Sequence, residues 1–334
     1  MGFIYVTDNG ATIGISGGTI TIKKLNGDIS RIPKETIDGI SIFGNIQMTT
    51  QCTRYCLENG IRVSYFSSTG KYFGCLHSTS HTNVARLRAQ IKASENVDFY
   101  LTLDKKLINT KISNQIVVAK RYTKSSSVNV ENEFNQMIIA KNKIGAATSI
   151  EQIMGYEGIA SKNYFGILSK IINPDFSFKG RNRQPPRDPF NSLLSLGYSI
   201  IMYEIYGELE NRGLNPYIGM LHQDKENHPT LASDVMEEWR PVLIDSLVLS
   251  ILQNNELTKD QFEISDENGG CYLSQEAMKY YIGKLERKMH TYIKYLKDYE
   301  SGMDFRKVIL HQAESLARAI DNNDPTMYVS LKIR

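Results

Sequence analysis

Four cysteines, one tryptophan and nine prolines are spread thinly over 334 residues, and no apolar run approaches the length of a bilayer-spanning helix. The opening Met1-Gly2-Phe3-Ile4-Tyr5-Val6 lacks a basic stretch and soon meets Asp8, Asn9 and Gly10, so no secretory leader is expected. Val6 also breaks the myristoylation pattern. The expectation is a soluble, cytoplasmic protein. Cys52 and Cys56 stand four apart, the wrong spacing for a zinc pair, and Cys75 and Cys271 complete no second cluster. Reduced, buried thiols follow. One-sided charge is missing as well: 39 basic against 36 acidic residues give +3. With 41% hydrophobic residues the chain is neither collagenous nor disordered.

What is present divides in two. Residues 1–77 alternate in short β-branched runs at Phe3–Thr7, Thr12–Ser16, Thr19–Lys24, Ile29–Ile32, Asp38–Phe43, Arg62–Phe66 and Lys71–Leu76. Asn9-Gly10, Gly17-Gly18 and Asn26-Gly27-Asp28 punctuate them as hairpin turns, and Thr49–Asn59 has a helical pattern. A polar bridge, 78–83, then separates this β-rich domain from residues 84–334, whose apolar spacing is helical to the end. Met278, Ile282, Leu285, Met289, Tyr292 and Leu296 place one stripe on a single helix, and Phe305, Ile309, Leu316 and Ile320 suggest another. Leu243–Leu252, apolar nearly all round, reads as a central buried helix. The fold class expected is α+β, with a small β-rich N-terminal domain before a larger all-α one.

Net positive charge is concentrated in two segments of the helical half. Residues 82–124 hold nine Lys or Arg against three acids, and 161–190 hold six against two. The first can be a solvated helix face. The second contains Lys179, Arg181, Arg183 and Arg187 on a proline-interrupted loop, where fixed guanidinium groups suit phosphate oxygens.

Three lookalikes fail on context. Gly14-Ile15-Ser16-Gly17-Gly18 has the letters of a nucleophile elbow, but Ser16 leads through a Gly-Gly turn into another strand. His77 and His81 have HxxxH spacing in a Ser/Thr-rich stretch that does not favour a helix. No glycine cluster matches a nucleotide-binding loop.

Pro229-Thr230 opens a helix that carries Asp234 and Glu237 on one face, followed by Glu238 and the tryptophan, Trp239. His222 lies on the segment before it. Hard carboxylate oxygens with one imidazole and no thiolate suit Mg²⁺ or Mn²⁺. An acidic helix start favoured by the macrodipole, and a hydrogen-bonded core histidine, explain the same residues without a metal.

Four ordered motifs decide between these readings. They are Glu157-Gly158-Ile159-Ala160, the run Arg183-Gln-Pro-Pro-Arg-Asp-Pro-Phe-Asn-Ser-Leu-Leu-Ser-Leu-Gly-Tyr198, Gly219-Met-Leu-His222, and Asp234-Val-Met-Glu237-Glu-Trp-Arg240-Pro241. Together they resemble the CRISPR-associated integrases of spacer acquisition, the Cas-one family, with a flavour of type I systems, subtype I-C. The resemblance covers essentially the whole chain. It implies metal ligands at Glu157, His222 and Glu237, with Asp234 as a further acidic position of the site and Glu238 as a neighbour. Many relatives have Asp where this chain has Glu237, which lengthens the reach by one methylene. It further implies an Mg²⁺- or Mn²⁺-dependent DNA endonuclease and integrase that joins the 3′-hydroxyl ends of a short fragment to a CRISPR repeat. Lys179, Arg181, Arg183 and Arg187 would contact DNA phosphates. The partners implied are DNA, a second copy of this chain, and a dimer of the companion Cas-two protein in a heterohexamer. A plain metal-dependent nuclease and a non-catalytic DNA scaffold are the competing readings.

Overall fold

The structure, a computed structural model, describes residues 2–76, 78, 82–124, 126–222, 225–293 and 302–334. It divides into two compact units, Met1–Thr82 with Leu273–Ile282, and Asn83–Tyr272 with Gly283–Arg334.

The first unit is built from β1 (Gly2–Val6), β2 (Thr12–Ser16), β3 (Thr19–Lys23), β4 (Ile29–Pro33), β5 (Ile37–Phe43), β6 (Gln47–Met48), α1 (Thr50–Glu58), β7 (Arg62–Phe66) and β8 (Tyr72–Leu76). One sheet runs β1-β5-β7-β8 and the other β4-β3-β2-β6. Alternation does the work expected of it. Ile13 pairs with Ile22 and Ile4 with Ile40, and their side chains close a core with Cys52 and Cys56 of α1. Gly17 and Gly18 both take positive φ in the β2–β3 turn, so Ser16 precedes a hairpin and not an elbow. Cys52, Cys56, Cys75 and Cys271 are all free thiols.

One sequence expectation changes at the edge of this unit. It also takes Leu273–Ile282, a stretch assigned on periodicity to the helical domain. There Gln275 Nε2 donates to the Thr7 carbonyl at 2.9 Å, and Lys279 approaches Asp8. His77 and His81, with most of the 78–83 bridge, lie outside the described residues.

The second unit carries α2 (Val84–Glu95), α3 (Val97–Thr123), α4 (Glu131–Ile144), α5 (Ile150–Ile171), α6 (Pro189–Asn211), α7 (Thr230–Trp239) and α8 (Ser246–Gln253). Several of these starts are capped by side chains: Asn96 accepts from the Phe99 N–H, and Asp188 from the Asn191 N–H at 2.8 Å ahead of Pro189. Buried Leu243–Leu252 is not one helix, because a π-helical turn, Arg240–Asp245, joins α7 to α8.

The region is not all-α. Short strands β9 (Phe262–Ile264) and β10 (Cys271–Leu273) pair, and so do β11 (Tyr292–Ile293) and β12 (Met303–Asp304). The long apolar stripe therefore ends early. Helix α9 (Gln275–Met289) stops before Thr291-Tyr292-Ile293, a β-branched and aromatic run that favours extended backbone. Tyr292 pairs with Asp304 and is 65% exposed, and Leu296 lies outside the described residues. Helix α10 (Phe305–Asp321) follows as its spacing predicts. No described helix is long and apolar enough to cross a membrane.

Candidate active site

Helices α3, α5, α6 and α7 and the 177–188 loop surround a cavity of about 830 Å³. Glu157 of α5, His222 and Glu237 of α7 all line it.

The loop that carries His222 is fixed by Asp234. Its carboxylate, fully buried, accepts the N–H groups of Met220 at 2.7 Å, Leu221 at 3.0 Å and His222 at 3.2 Å, and it meets His222 Nδ1 at 2.6 Å. Gly219 lets the loop come this close. A Cβ there would stand 2.7 Å from Thr230 Cβ and 3.1 Å from Asp234 Oδ2. With Nδ1 engaged, the remaining ring nitrogen, Nε2, is the one left for a ligand or a proton. Burial alone would lower the His222 pKa; the Asp234 hydrogen bond and charge, with Glu237 nearby, raise it instead. Asp234 is therefore a positioning group whose two oxygens are already engaged.

Glu157 and Glu237 meet at a residue the sequence did not single out. Lys111 of α3, 8% exposed, places its ammonium 2.6 Å from Glu237 Oε2 and donates to Glu157 Oε1. Ser161 Oγ donates to the same Glu157 oxygen at 2.6 Å. Arg240 Nε lies 3.2 Å from Glu237 Oε1. Burial would raise the Glu237 pKa, yet Arg240, Lys111 and His222 hold it down to about 2. Glu238, next in sequence, faces away from the cavity. Its Oε2 accepts from Gln312 at 2.6 Å and from the Leu331 N–H at 2.7 Å, with no cation in contact among the described residues, and burial pushes it up to about 8.

Deeper in the cavity, the π-turn brings residues five apart to one side, so Arg240 and Asp245 both line it. Tyr164 and Tyr198 donate to Asp245, and Arg240 lies 4.5 Å above the Tyr198 ring. Asp245 is pushed up to about 6 by burial.

The basic loop divides. Lys179, Arg181 and Arg183 line the cavity wall; Arg181 is anchored on Asn191 and over the Tyr198 ring. Arg187 does not line the cavity, because its guanidinium donates to the Asn268 carbonyl and packs against Gly269. Segment 82–124 is not simply a solvated basic face either. Lys111 is internal, and Arg86 pairs with Asp321. Lys111 was visible in one respect: it falls on the buried stripe of α3 with Leu103, Leu107 and Asn114. A lysine on an apolar stripe needs an anionic partner.

Two carboxylates and an imidazole held by its second nitrogen are a donor set for Mg²⁺ or Mn²⁺. The cavity already holds one cation between Glu157 and Glu237, the Lys111 ammonium, so the site fits a positive ion. Among the described residues no three His, Cys, Asp or Glu side chains converge on one point as they stand. Lys111 accounts for this at Glu157 and Glu237.

Known proteins share the sequence pattern and fold of this chain. A family model described as CRISPR associated protein Cas1 matches residues 4–287. A CRISPR-associated endonuclease Cas1 of Mycobacterium tuberculosis is 31% identical over 330 residues, covering 99% of this chain and 97% of its own. Among solved structures, a casposase bound to integration product superposes with a TM-score of 0.85 at 21% identity, over 98% of this chain and 93% of its own. A chain of a Cas6-RT-Cas1–Cas2 complex gives 0.82 at 25% identity over 99% of this chain, which spans only 36% of that longer one. From the N-terminal sheets to the helical cavity, the chain belongs to the Cas1 family of CRISPR-associated proteins.

Proposed function

We propose that this chain is the DNA integrase of CRISPR adaptation, joining the 3′-hydroxyl ends of a short DNA fragment to a repeat in a reaction that depends on a divalent metal. The observation that carries the reading is the meeting of Glu157, His222 and Glu237 in one cavity walled by Lys179, Arg181 and Arg183. The type I, subtype I-C flavour of the motifs is part of the same reading.

Glu157, His222 Nε2 and Glu237 would hold the ion, Mg²⁺ or Mn²⁺, which when bound neutralises charge on the phosphoryl oxygens. The chain supplies the rest. A new P–O bond forms from the incoming 3′-oxygen as the bond to the departing 3′-oxygen breaks, and the proton of the attacking hydroxyl ends on the departing oxygen. No protein nucleophile is required, because phosphoryl transfer rests on positioning and charge. Lys179, Arg181 and Arg183 seat the phosphates, and Arg240, stacked on Tyr198, directs a guanidinium into the same space. Asp234 keeps His222 in one tautomer.

Partners follow from the task. Two strand transfers at opposite ends of one fragment call for a symmetric assembly, here two homodimers of this chain flanking a dimer of the small companion protein, Cas2. The name of the Cas6-RT-Cas1–Cas2 neighbour supports that companion. Water in place of the 3′-hydroxyl would make the same site a nuclease.

The test is strand transfer of a labelled short duplex into a supercoiled plasmid bearing a repeat. It compares Mn²⁺, Mg²⁺ and EDTA, with and without the companion, alongside Glu157→Ala and His222→Ala. Metal-dependent joining, lost in both variants, is the expected outcome. Cleavage without joining would favour the nuclease, and variants as active as the parent would remove the site.

A further inference from the structure

The carboxylates that would hold the metal are already neutralised from within. Glu157 and Glu237 share the Lys111 ammonium, and Glu237 also faces Arg240 at 3.2 Å. Asp234, the next carboxylate along α7, spends both oxygens on the His222 loop. Two anions and two cations thus balance in a cavity wall where Lys111 and Glu237 are nearly sealed from solvent. A divalent ion entering beside Lys111 and Arg240 would leave a local excess of positive charge at low permittivity, where like charges repel strongly.

Lys111 and Arg240 differ in what they can do about this. Arg240 is pinned by its stack on Tyr198 and by the π-turn. Lys111 is a point charge on a flexible four-carbon stem that lines the open cavity. It can leave the carboxylates only for another anion, and in that cavity the anion at hand is a DNA phosphate drawn in by Lys179, Arg181 and Arg183. A phosphate would serve twice, taking the ammonium and restoring charge balance around the ion.

We infer that Lys111 is an internal counter-cation that holds Glu157 and Glu237 in place without metal and makes divalent-ion binding conditional on DNA, moving from the carboxylate pair to a backbone phosphate when both bind. The inference rests on the metal-dependent reading above. Metal and DNA affinities are then coupled, and coupling is reciprocal.

The experiment measures Mn²⁺ affinity directly, by calorimetry and by loss of the free-ion EPR signal. Parent, Lys111→Met and Lys111→Arg proteins are each titrated alone and with a short duplex blocked at its 3′ ends. Glu157→Ala serves as the background for ions bound to DNA itself. The parent is expected to bind Mn²⁺ about tenfold or more tightly when the duplex is present. Lys111→Met is expected to gain a similar factor without DNA and to lose most of the DNA dependence, while Lys111→Arg keeps it. A merely structural lysine would not raise metal affinity on removal. Equal or weaker Mn²⁺ binding by folded Lys111→Met overturns the inference and leaves the metal site standing. No binding above the Glu157→Ala background in any protein overturns both. Should Lys111→Met fail to fold, Lys111→Gln replaces it, and equal affinity of the parent with and without duplex overturns the coupling by itself.

Discussion

The two flanks of α7 bury the same chemical group in opposite company. Glu237 and Glu238 are adjacent, and both are almost fully enclosed. Glu237 faces Lys111, Arg240 and His222 and is held at about 2; Glu238 faces only neutral donors and rises to about 8. Burial costs each of them its water. What separates them is the presence of a fixed positive charge, which hydrogen bonds from Gln312 and Leu331 do not replace. One flank is thereby an ion-paired wall of the cavity. The other is a fastening: Glu238 and Asn114 of α3 hold the C-terminal stretch, with Leu331 N–H on Glu238 and Ile333 N–H on Asn114 Oδ1 at 3.1 Å.

Amide substitution breaks the comparison most sharply. Glu237→Gln leaves Arg240 buried without its carboxylate and Lys111 with Glu157 alone, and is expected to cost about 3–5 kcal/mol of stability, besides the activity. Glu238→Gln keeps an oxygen for Gln312 and Leu331 and is expected to change stability by under about 1 kcal/mol at pH 4, where the carboxyl is largely protonated folded or unfolded. The pH profiles should diverge with opposite sign. Glu238 has a raised pKa, so its contribution is present below the unfolded value and is lost as pH rises through about 8. Glu237 has a depressed one, so its contribution is present above the unfolded value and is lost as pH falls toward about 2. Urea melts from pH 4 to 9 would show the decline between the unfolded carboxyl value and about 8 flattened in Glu238→Gln alone. Equal losses for both amides would mean that the cations beside Glu237 are not its partners.

Asp234→Asn sharpens the same contrast through its consequence for His222. The amide keeps one acceptor oxygen, so either the Met220 and Leu221 N–H groups or the His222 N–H and ring lose theirs, and the neutral side chain no longer raises the His222 pKa. Strand transfer and Mn²⁺ affinity are each expected to fall about 10–100-fold, as for other groups that orient a ligand. NMR titration of the His222 ring should show its pKa moving down. An unmoved pKa would place Asp234 outside the site's chemistry.

How much of this was written in the sequence differs between the units for a physical reason. Within residues 2–76 local rules carry most of the fold, since period-two alternation and paired glycines at Gly17-Gly18 fix faces and turns; the two-residue β6 and the distant Leu273–Ile282 segment went unseen. In the helical unit the spacing of Asp234 and Glu237 showed one shared face, but spacing alone could not tell Glu237 from Glu238. The motif resemblance named Glu157, His222 and Glu237, and the fold places all three on one cavity. Lys111 escaped because it comes 46 residues before its partner Glu157, inside a basic segment that reads as solvated. Arg240 stood in a quoted motif without a role, because the π-turn that aims it is a property of packing and not of propensity. Arg187 was grouped with its neighbours by charge, and only the Asn268 carbonyl separates it from them.

That separation gives the smallest of the expected effects. Lys179 and Arg183 are exposed on the cavity wall, so each is expected to contribute mainly one phosphate contact. Lys179→Ala and Arg183→Ala should each weaken duplex binding a few-fold and lower the slope of log affinity against log salt by about 0.9. Arg187→Ala should leave the slope unchanged, because its charge is committed to the loop and does not line the cavity. Arg181 is a poor probe, since removing it also strips Asn191 and the Tyr198 ring of a partner. Fluorescence anisotropy of a labelled duplex across a salt series measures all three slopes. A slope lowered by Arg187→Ala as much as by Arg183→Ala would extend the DNA path beyond the cavity wall, along the loop toward Asn268.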